Sequence, residues 1–248
     1  ETRGPRRFQS HEWVWRQDGT SSPMTSPHPN RRVLLAGSTG LVGGFLLQGL
    51  LADASVAEVH ALARRPIGVE HARLRVHVVD FTALPDLPPV DEAYLALGTT
   101  LKVAGSRAAF RAVDLDANLA VAHAAVRAGA RRIGLVSAAG ASARSSVFYN
   151  RVKGELETAL TGLDLDALVI ARPSLLLDRR DHLGQAPRLA ESLAIPIGRL
   201  LAPLVPGPYR PVHARAVAQA LLDALPVAHG VCVLPSDVLA IQGAAARA

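Results

Sequence analysis

The chain has 248 residues, 49% apolar and only 4% aromatic, which is enough for a full core of Ala, Leu and Val and suits helices on a parallel sheet better than an aromatic-rich β-sandwich. A net charge of +6 without a run of five or more like charges argues against a nucleic-acid groove, and no stretch of about 18 apolar residues offers a membrane span. The single cysteine, Cys232, excludes an internal disulfide and makes a cytosolic (cytoplasmic) setting the simplest expectation; the opening residues also lack the apolar segment of a secretory leader.

Residues 1–30 are rich in Arg, Ser, Thr, Pro and Gln and have no apolar period, so they read as a disordered extension. The only methionine, Met24, is the expected natural start; a partner-binding tail using Trp13 and Trp15 is the alternative. From residue 31 the pattern alternates. Strands are expected at Arg32–Ala36, Val56–Ala63, Arg75–Val79, Glu92–Leu97, Arg132–Ser137 and Ala167–Ala171. Helices are expected at Leu41–Leu51, from Arg107 to Ala128, and at Tyr149–Leu160. This alternation predicts one α/β domain over 31–248, with a doubly wound parallel sheet of Rossmann type. Beyond residue 173, prolines at 187, 196, 203, 206, 208, 211 and 226 interrupt the pattern. A helix at Ala214–Leu225 and a short strand at Gly230–Leu234 are expected there, within a small substrate cap over about 174–248.

Gly37-Ser38-Thr39-Gly40-Leu41-Val42-Gly43 lies between the first strand and the first helix. Gly37 allows a tight turn, Gly40 a close approach of a pyrophosphate, and Gly43 the packing of helix on strand. The anion would sit at the helix N-terminus, where free N–H groups and the dipole favour negative charge. The second strand ends in Arg64-Arg65, where an NAD-selective site usually offers an acid for the ribose. Two arginines suit a 2′-phosphate instead, which favours NADP(H) over NAD(H). Asp80-Phe81 follows the third strand and would meet the adenine; Leu97-Gly98-Thr99 follows the fourth and would meet the ribose.

Of 27 basic residues only Lys102 and Lys153 are lysines. Lys153 follows Tyr149 by four residues, so both share a helix face, one turn apart. An ammonium there makes the phenol a usable proton donor or acceptor near neutral pH. Ser137, at the tip of the fifth strand, is the preferred partner for a substrate carbonyl; Ser142, Ser145 and Ser146 compete for that role. Lys102 is either a cleft residue or a solvated loop lysine, and His213, at a helix start, is more often structural. No group of His, Cys and acids has metal-ligand spacing.

In this order of glycine loop, Asp80, Ser137, Tyr149, Lys153 and Arg172-Pro173, the chain resembles the atypical, NAD(P)H-binding branch of the short-chain dehydrogenase/reductase superfamily. Within it, the chain looks most like the Tat-interacting-protein-2-like oxidoreductases. That likeness is carried by Val79-Asp80-Phe81, Leu97-Gly98-Thr99-Thr100, Lys102, Ala104-Gly105, Phe110, Val113-Asp114, Val152-Lys153-Gly154-Glu155 and Arg172-Pro173. The resemblance implies a cofactor contact at Pro173 and an oxidoreductase passing hydride between nicotinamide and a carbonyl or alcohol substrate. Tyr149 would be the acid, Ser137 would polarise the carbonyl, and Lys153 would hold the ribose. It equally implies a rival, a regulator that binds NADPH with little turnover; an epimerase or dehydratase is a third reading. The sequence departs from the pattern in two places. Ser137-Ala138 replaces two serines, and the helix asparagine of fuller tetrads has only Asp114 or Asn118 near it. A homodimer has no support in the sequence.

Overall fold

The computed structural model describes residues 30–177 and 211–245. The expected extension with Met24, Trp13 and Trp15, and the prolines from 187 to 208, lie outside the described residues.

β1 (Arg31–Ala36) carries Val33, Leu34, Leu35 and Ala36 with no exposed surface. A strand apolar on both faces must be covered on both, as parallel strands are. Its partners are β2 (Val56–Ala63), β3 (Leu74–Val78), β4 (Glu92–Leu95), β5 (Arg132–Val136), β6 (Ala167–Arg172) and β7 (Gly230–Pro235). They form one sheet in the order β3-β2-β1-β4-β5-β6-β7, with every neighbouring pair parallel. The expected α/β architecture, a doubly wound Rossmann sheet, is therefore present.

Two helix layers cover the two faces. On one, α1 (Leu41–Ala52) presents Leu46, Leu47 and Leu50 to Val33, Leu35 and Val59 of the sheet. On the other, Phe110, Val121, Val152, Leu156 and Leu160 pack against Leu34, Leu95, Leu135 and Ile170. This second layer comprises α2 (Leu101–Ala104), α3 (Arg107–Arg111), a π-helical turn (Ala112–Ala117), α4 (Asn118–Arg127) and α5 (Phe148–Thr161). Strand order reverses between β1 and β4, which opens a crevice at their carboxyl ends, where ligands bind in such sheets.

Element bounds agree with the periodicity to within a residue or two, with informative exceptions. The long helix expected from Arg107 to Ala128 is interrupted by the π turn. Such a turn is a local change of hydrogen bonding within a continuous helical path, which a pattern of apolar residues does not report. Asn118 Nδ2 donates to the carbonyls of Val113 and Asp114, at 3.2 and 3.3 Å, and so satisfies acceptors loosened by the wider turn. The four-residue α2 is too short to show a period. It exists because Thr100 caps it, accepting from the Val103 N–H, and because Gly105 ends it at φ 78°.

The expected cap also needs correcting. Residues 211–245 form α6 (Ala214–Ala224), β7 and α7 (Ser236–Ala245), all built into the Rossmann layers. Val217, Leu221 and Leu239 share the core of Leu46 and Leu50. That continuity depends on packing, which the periodicity does not carry. The remaining stretch of the expected cap, 178–210, lies outside the described residues.

Candidate functional site

The loop after β1 is shaped by two close approaches. Gly37 has φ +95°, and a Cβ there would stand 2.4 Å from the Ala96 carbonyl oxygen. A Cβ on Gly43 would stand 2.0 Å from the Gly37 oxygen, so the first turn of α1 can press onto the loop only without one. α1 starts at Gly40 with no side-chain cap and no acid in its first turn. The N–H groups there are thus left without side-chain acceptors. Beside them the Ser38 hydroxyl is buried and has no hydrogen-bond partner among the described residues. A buried orphan hydroxyl is costly. An anion seated on this helix start, with Thr39 at the exposed tip of the loop and Leu41 and Val42 in the first turn, would supply the missing acceptors. The chain's own residues therefore fit a dinucleotide pyrophosphate.

Arg64 and Arg65 are exposed just past β2, along the same edge. Asp80, also exposed, accepts from the Thr82 N–H at 2.9 Å and from its hydroxyl at 2.8 Å. Those bonds hold its carboxyl below the ordinary 3.8. Phe81 is half-buried against the α5-side core. Leu97-Gly98-Thr99 follows β4, with Gly98 exposed.

α5 brings the chemistry to this edge. Tyr149, Lys153 and Glu157 recur every fourth residue and therefore share a face. The Tyr149 ring packs against Phe110 with centroids 5.5 Å apart, and Phe148 sits 5.8 Å from the same ring. Lys153 is buried, and its Nζ lies 2.8 Å from Asp114 Oδ1 on the π turn. The other Asp114 oxygen accepts from the Thr99 N–H at 2.8 Å. Asn118 adds a bond to the Leu97 carbonyl at 3.2 Å. Of the two residues considered for a tetrad position, Asp114 meets the lysine and Asn118 the loop after β4.

The Ser137 hydroxyl, expected to meet a substrate carbonyl, has a partner within the protein. It is 4% exposed and donates to Glu157 Oε1 at 2.5 Å. Glu157 is held in turn by Arg172, whose Nε and Nη2 reach its two oxygens at 3.0 and 2.5 Å. A hydroxyl has one proton to donate, so a substrate carbonyl would compete with Glu157 for it. The competing serines serve local turns: Ser142 accepts from the Arg144 N–H and Ser145 from the Val147 N–H, while Ser146 is exposed. Pro173 is buried, and its carbonyl accepts from the Ala139 N–H at 2.8 Å, which ties the loop after β5 to the end of β6. Lys102 is exposed on α2. His213 precedes the first turn of α6, its carbonyl accepting from the Ala216 N–H, and has a structural place.

Curated relatives decide the family. The protein named FMP52, mitochondrial, of Eremothecium gossypii is 37% identical over 173 residues, covering 68% of this chain and 75% of that protein. The chain belongs to the FMP52 family. Its Aspergillus clavatus member is 34% identical over 205 residues, 78% of this chain and 88% of that one. These relatives carry the FMP52 name, not that of the Tat-interacting-protein-2-like branch, so the finer resemblance is revised to FMP52. They are also named as mitochondrial, which overturns the expected cytosolic setting. A lone thiol excludes an internal disulfide in any compartment, so it never carried that distinction.

No protein-family model matches the chain. Among solved structures, MoeE5 in complex with UDP-glucose and NAD superposes with a TM-score of 0.61 at 18% identity, over 82% of this chain and 75% of that one. A UDP-N-acetylglucosamine 4-epimerase from Methanobrevibacter ruminantium gives 0.61 at 14% identity, over 84% and 77%. The enzyme WbmG of Bordetella bronchiseptica, in complex with NAD and UDP, gives 0.58 at 16%, over 88% and 78%. At such identities they establish the fold alone, a Rossmann-like α/β sheet.

Proposed function

We propose that this FMP52-family protein is a mitochondrial NADP(H)-dependent oxidoreductase acting on a small carbonyl or alcohol compound. One observation carries the reading: Tyr149 and Lys153 share a face of α5 at the crevice edge that also holds the uncapped start of α1 and its glycine loop. Gly37, Ser38, Gly40 and Gly43 would cradle the pyrophosphate, with the N–H groups of the α1 start as donors. Arg64 and Arg65 would take the 2′-phosphate, and Asp80 and Phe81 the adenine. Lys153 and the Leu97-Gly98-Thr99 backbone would take the nicotinamide ribose, with Pro173 bordering the ring. When bound, the cofactor supplies or accepts the hydride. Tyr149 would give the proton to the carbonyl oxygen in reduction and remove it in oxidation. The NAD present in structural neighbours supports a nicotinamide cofactor; the UDP-sugar complexes among them keep the epimerase or dehydratase reading alive.

The engagement of Ser137 with Glu157 favours a second reading. With the Ser137 hydroxyl held by Glu157, Tyr149 would carry more of the carbonyl's polarisation. That suits slow turnover, or a protein that binds NADPH and signals its presence to a partner. A Tyr149→Phe variant separates the two. Under the first reading it retains NADPH affinity and loses at least about a hundredfold of carbonyl-dependent NADPH oxidation, the usual size of an acid–base contribution. A wild-type protein that binds NADPH tightly and turns over no member of a broad carbonyl panel supports the second.

A further inference from the structure

Lysine and aspartate come from separate helices to meet out of water. Lys153 Nζ lies 2.8 Å from Asp114 Oδ1, with the two side chains 5% and 1% exposed. The second carboxylate oxygen holds the Thr99 N–H at 2.8 Å. One carboxylate therefore spans α5 and the loop after β4. The backbone between them is tight. A Cβ on Gly98 would stand 3.5 Å from Asp114 Oδ1 and 3.9 Å from Lys153 Nζ. Gly98 itself is exposed, so its backbone is open to a ligand beside the pair.

The local backbone is arranged around this contact. Asp114 sits in the π turn, a rare geometry that tends to occur at functional sites. Asn118, with no exposed surface, holds that turn by its bonds to Val113 and Asp114, and anchors it to Leu97 in the same loop. An ammonium has three N–H donors. Here the contact with Asp114 Oδ1 is an ion pair only, and that oxygen has no hydrogen-bond partner among the described residues. A buried charge pair is a poor device for stability alone, because desolvation consumes most of its attraction.

We propose that Asp114 is a positioning residue: its carboxylate fixes the Lys153 ammonium relative to the Leu97-Gly98-Thr99 backbone, so that both grip the ribose of a nicotinamide dinucleotide together. The proposal rests on the reading of the crevice as a dinucleotide site. It assigns Asp114 the place that an asparagine would hold in fuller tetrads, but with a direct ionic contact.

The test is a double-mutant cycle on NADPH affinity, read by fluorescence titration of the full chain, with thermal unfolding recorded for every variant. Asp114→Asn is expected to weaken NADPH binding about tenfold, the worth of one charge-assisted contact. In a Lys153→Met background the same change is expected to cost less than about twofold, because the ammonium it orients is gone. An equal loss in both backgrounds would show that Asp114 acts through the loop or the general fold, and would overturn the proposal. Unchanged NADPH binding in Asp114→Asn would overturn it while leaving the dinucleotide reading intact. Wild-type protein that binds neither NADPH nor NADH would remove both. Should Asp114→Asn not fold, Asp114→Glu keeps the charge and moves the carboxylate by a methylene; wild-type affinity in that variant would equally overturn the proposal.

Discussion

Ser137 donates its hydroxyl proton to Glu157, two helical turns along α5 from Tyr149, at 2.5 Å in the buried seam between β5 and α5. The contact makes the strand-tip serine part of a structural network completed by Arg172. Ser137→Ala is therefore expected to destabilise the fold by about 1–3 kcal/mol, the usual cost of removing a bond to a buried charged group. Urea unfolding measures that loss. NADPH affinity in the same variant should stay within about twofold of wild type, since the crevice loses no contact; a tenfold fall without loss of stability would return Ser137 to the site.

Arg64 and Arg65 are exposed past β2, where they can meet a phosphate. Replacing both by Ala should weaken NADPH binding by roughly ten- to a hundredfold, the loss of one or two charge-assisted contacts, and leave NADH binding nearly unchanged. Titration with both nucleotides measures the ratio. Equal effects on the two would show that the arginines lie away from the 2′-phosphate.

Gly154 directly follows the buried lysine and lets α5 touch the loop after β5. A Cβ there would lie 2.1 Å from the Ser142 carbonyl carbon and 2.2 Å from the Ala143 nitrogen, both backbone atoms that cannot swing aside. Gly154→Ala is expected to cost about 1–3 kcal/mol or more by overpacking, despite the better helix propensity of alanine. Thermal unfolding tests the sign, because an exposed helix position would instead gain stability.

The edge of the sheet carries a pH dependence. His60 Nδ1 and His77 Nε2 lie 3.1 Å apart, and His60 Nε2 lies 3.2 Å from Glu58. Burial pushes the His60 imidazole below its ordinary 6.5; Glu58 opposes this, while His77 and Arg75 add to it. A base with a depressed folded value binds fewer protons folded than unfolded. Its contribution is thus fully present above pH 6.5 and is lost as pH falls below that value. Urea midpoints at pH 7.5 and pH 5.5 should fall toward acid, and His60→Gln should flatten the difference. An unchanged slope in that variant would assign the acid sensitivity elsewhere.

Much of the architecture was legible because it depends on local terms. Val33–Ala36 reads as a doubly covered strand from its apolar run, and Gly37, Gly40 and Gly43 between strand and helix read as a phosphate turn from their spacing. The Tyr149–Lys153 interval needs only the helical repeat. α2 escaped because four residues hold no period, and the π turn because it changes the hydrogen bonding of a helix and not its composition. The helix and strand expected at Ala214–Leu225 and Gly230–Leu234 are present, but that they extend the sheet and its helix layer rather than cap it depends on packing that the periodicity does not carry.

By itself, then, the sequence determined the order of strands and helices, the glycine turn, and the two α5 side chains that face one way. These follow from dihedral preferences and from burial periods of two and 3.6 residues, which act between neighbours. The tertiary structure decided which polar groups face each other. Ser137 met Glu157, Asp114 met Lys153, and His60 met His77. Each pairing joins residues on different elements, and each depends on how those elements stack. A buried hydroxyl or charge takes whatever partner packing delivers, because leaving it alone costs more than any local preference can supply.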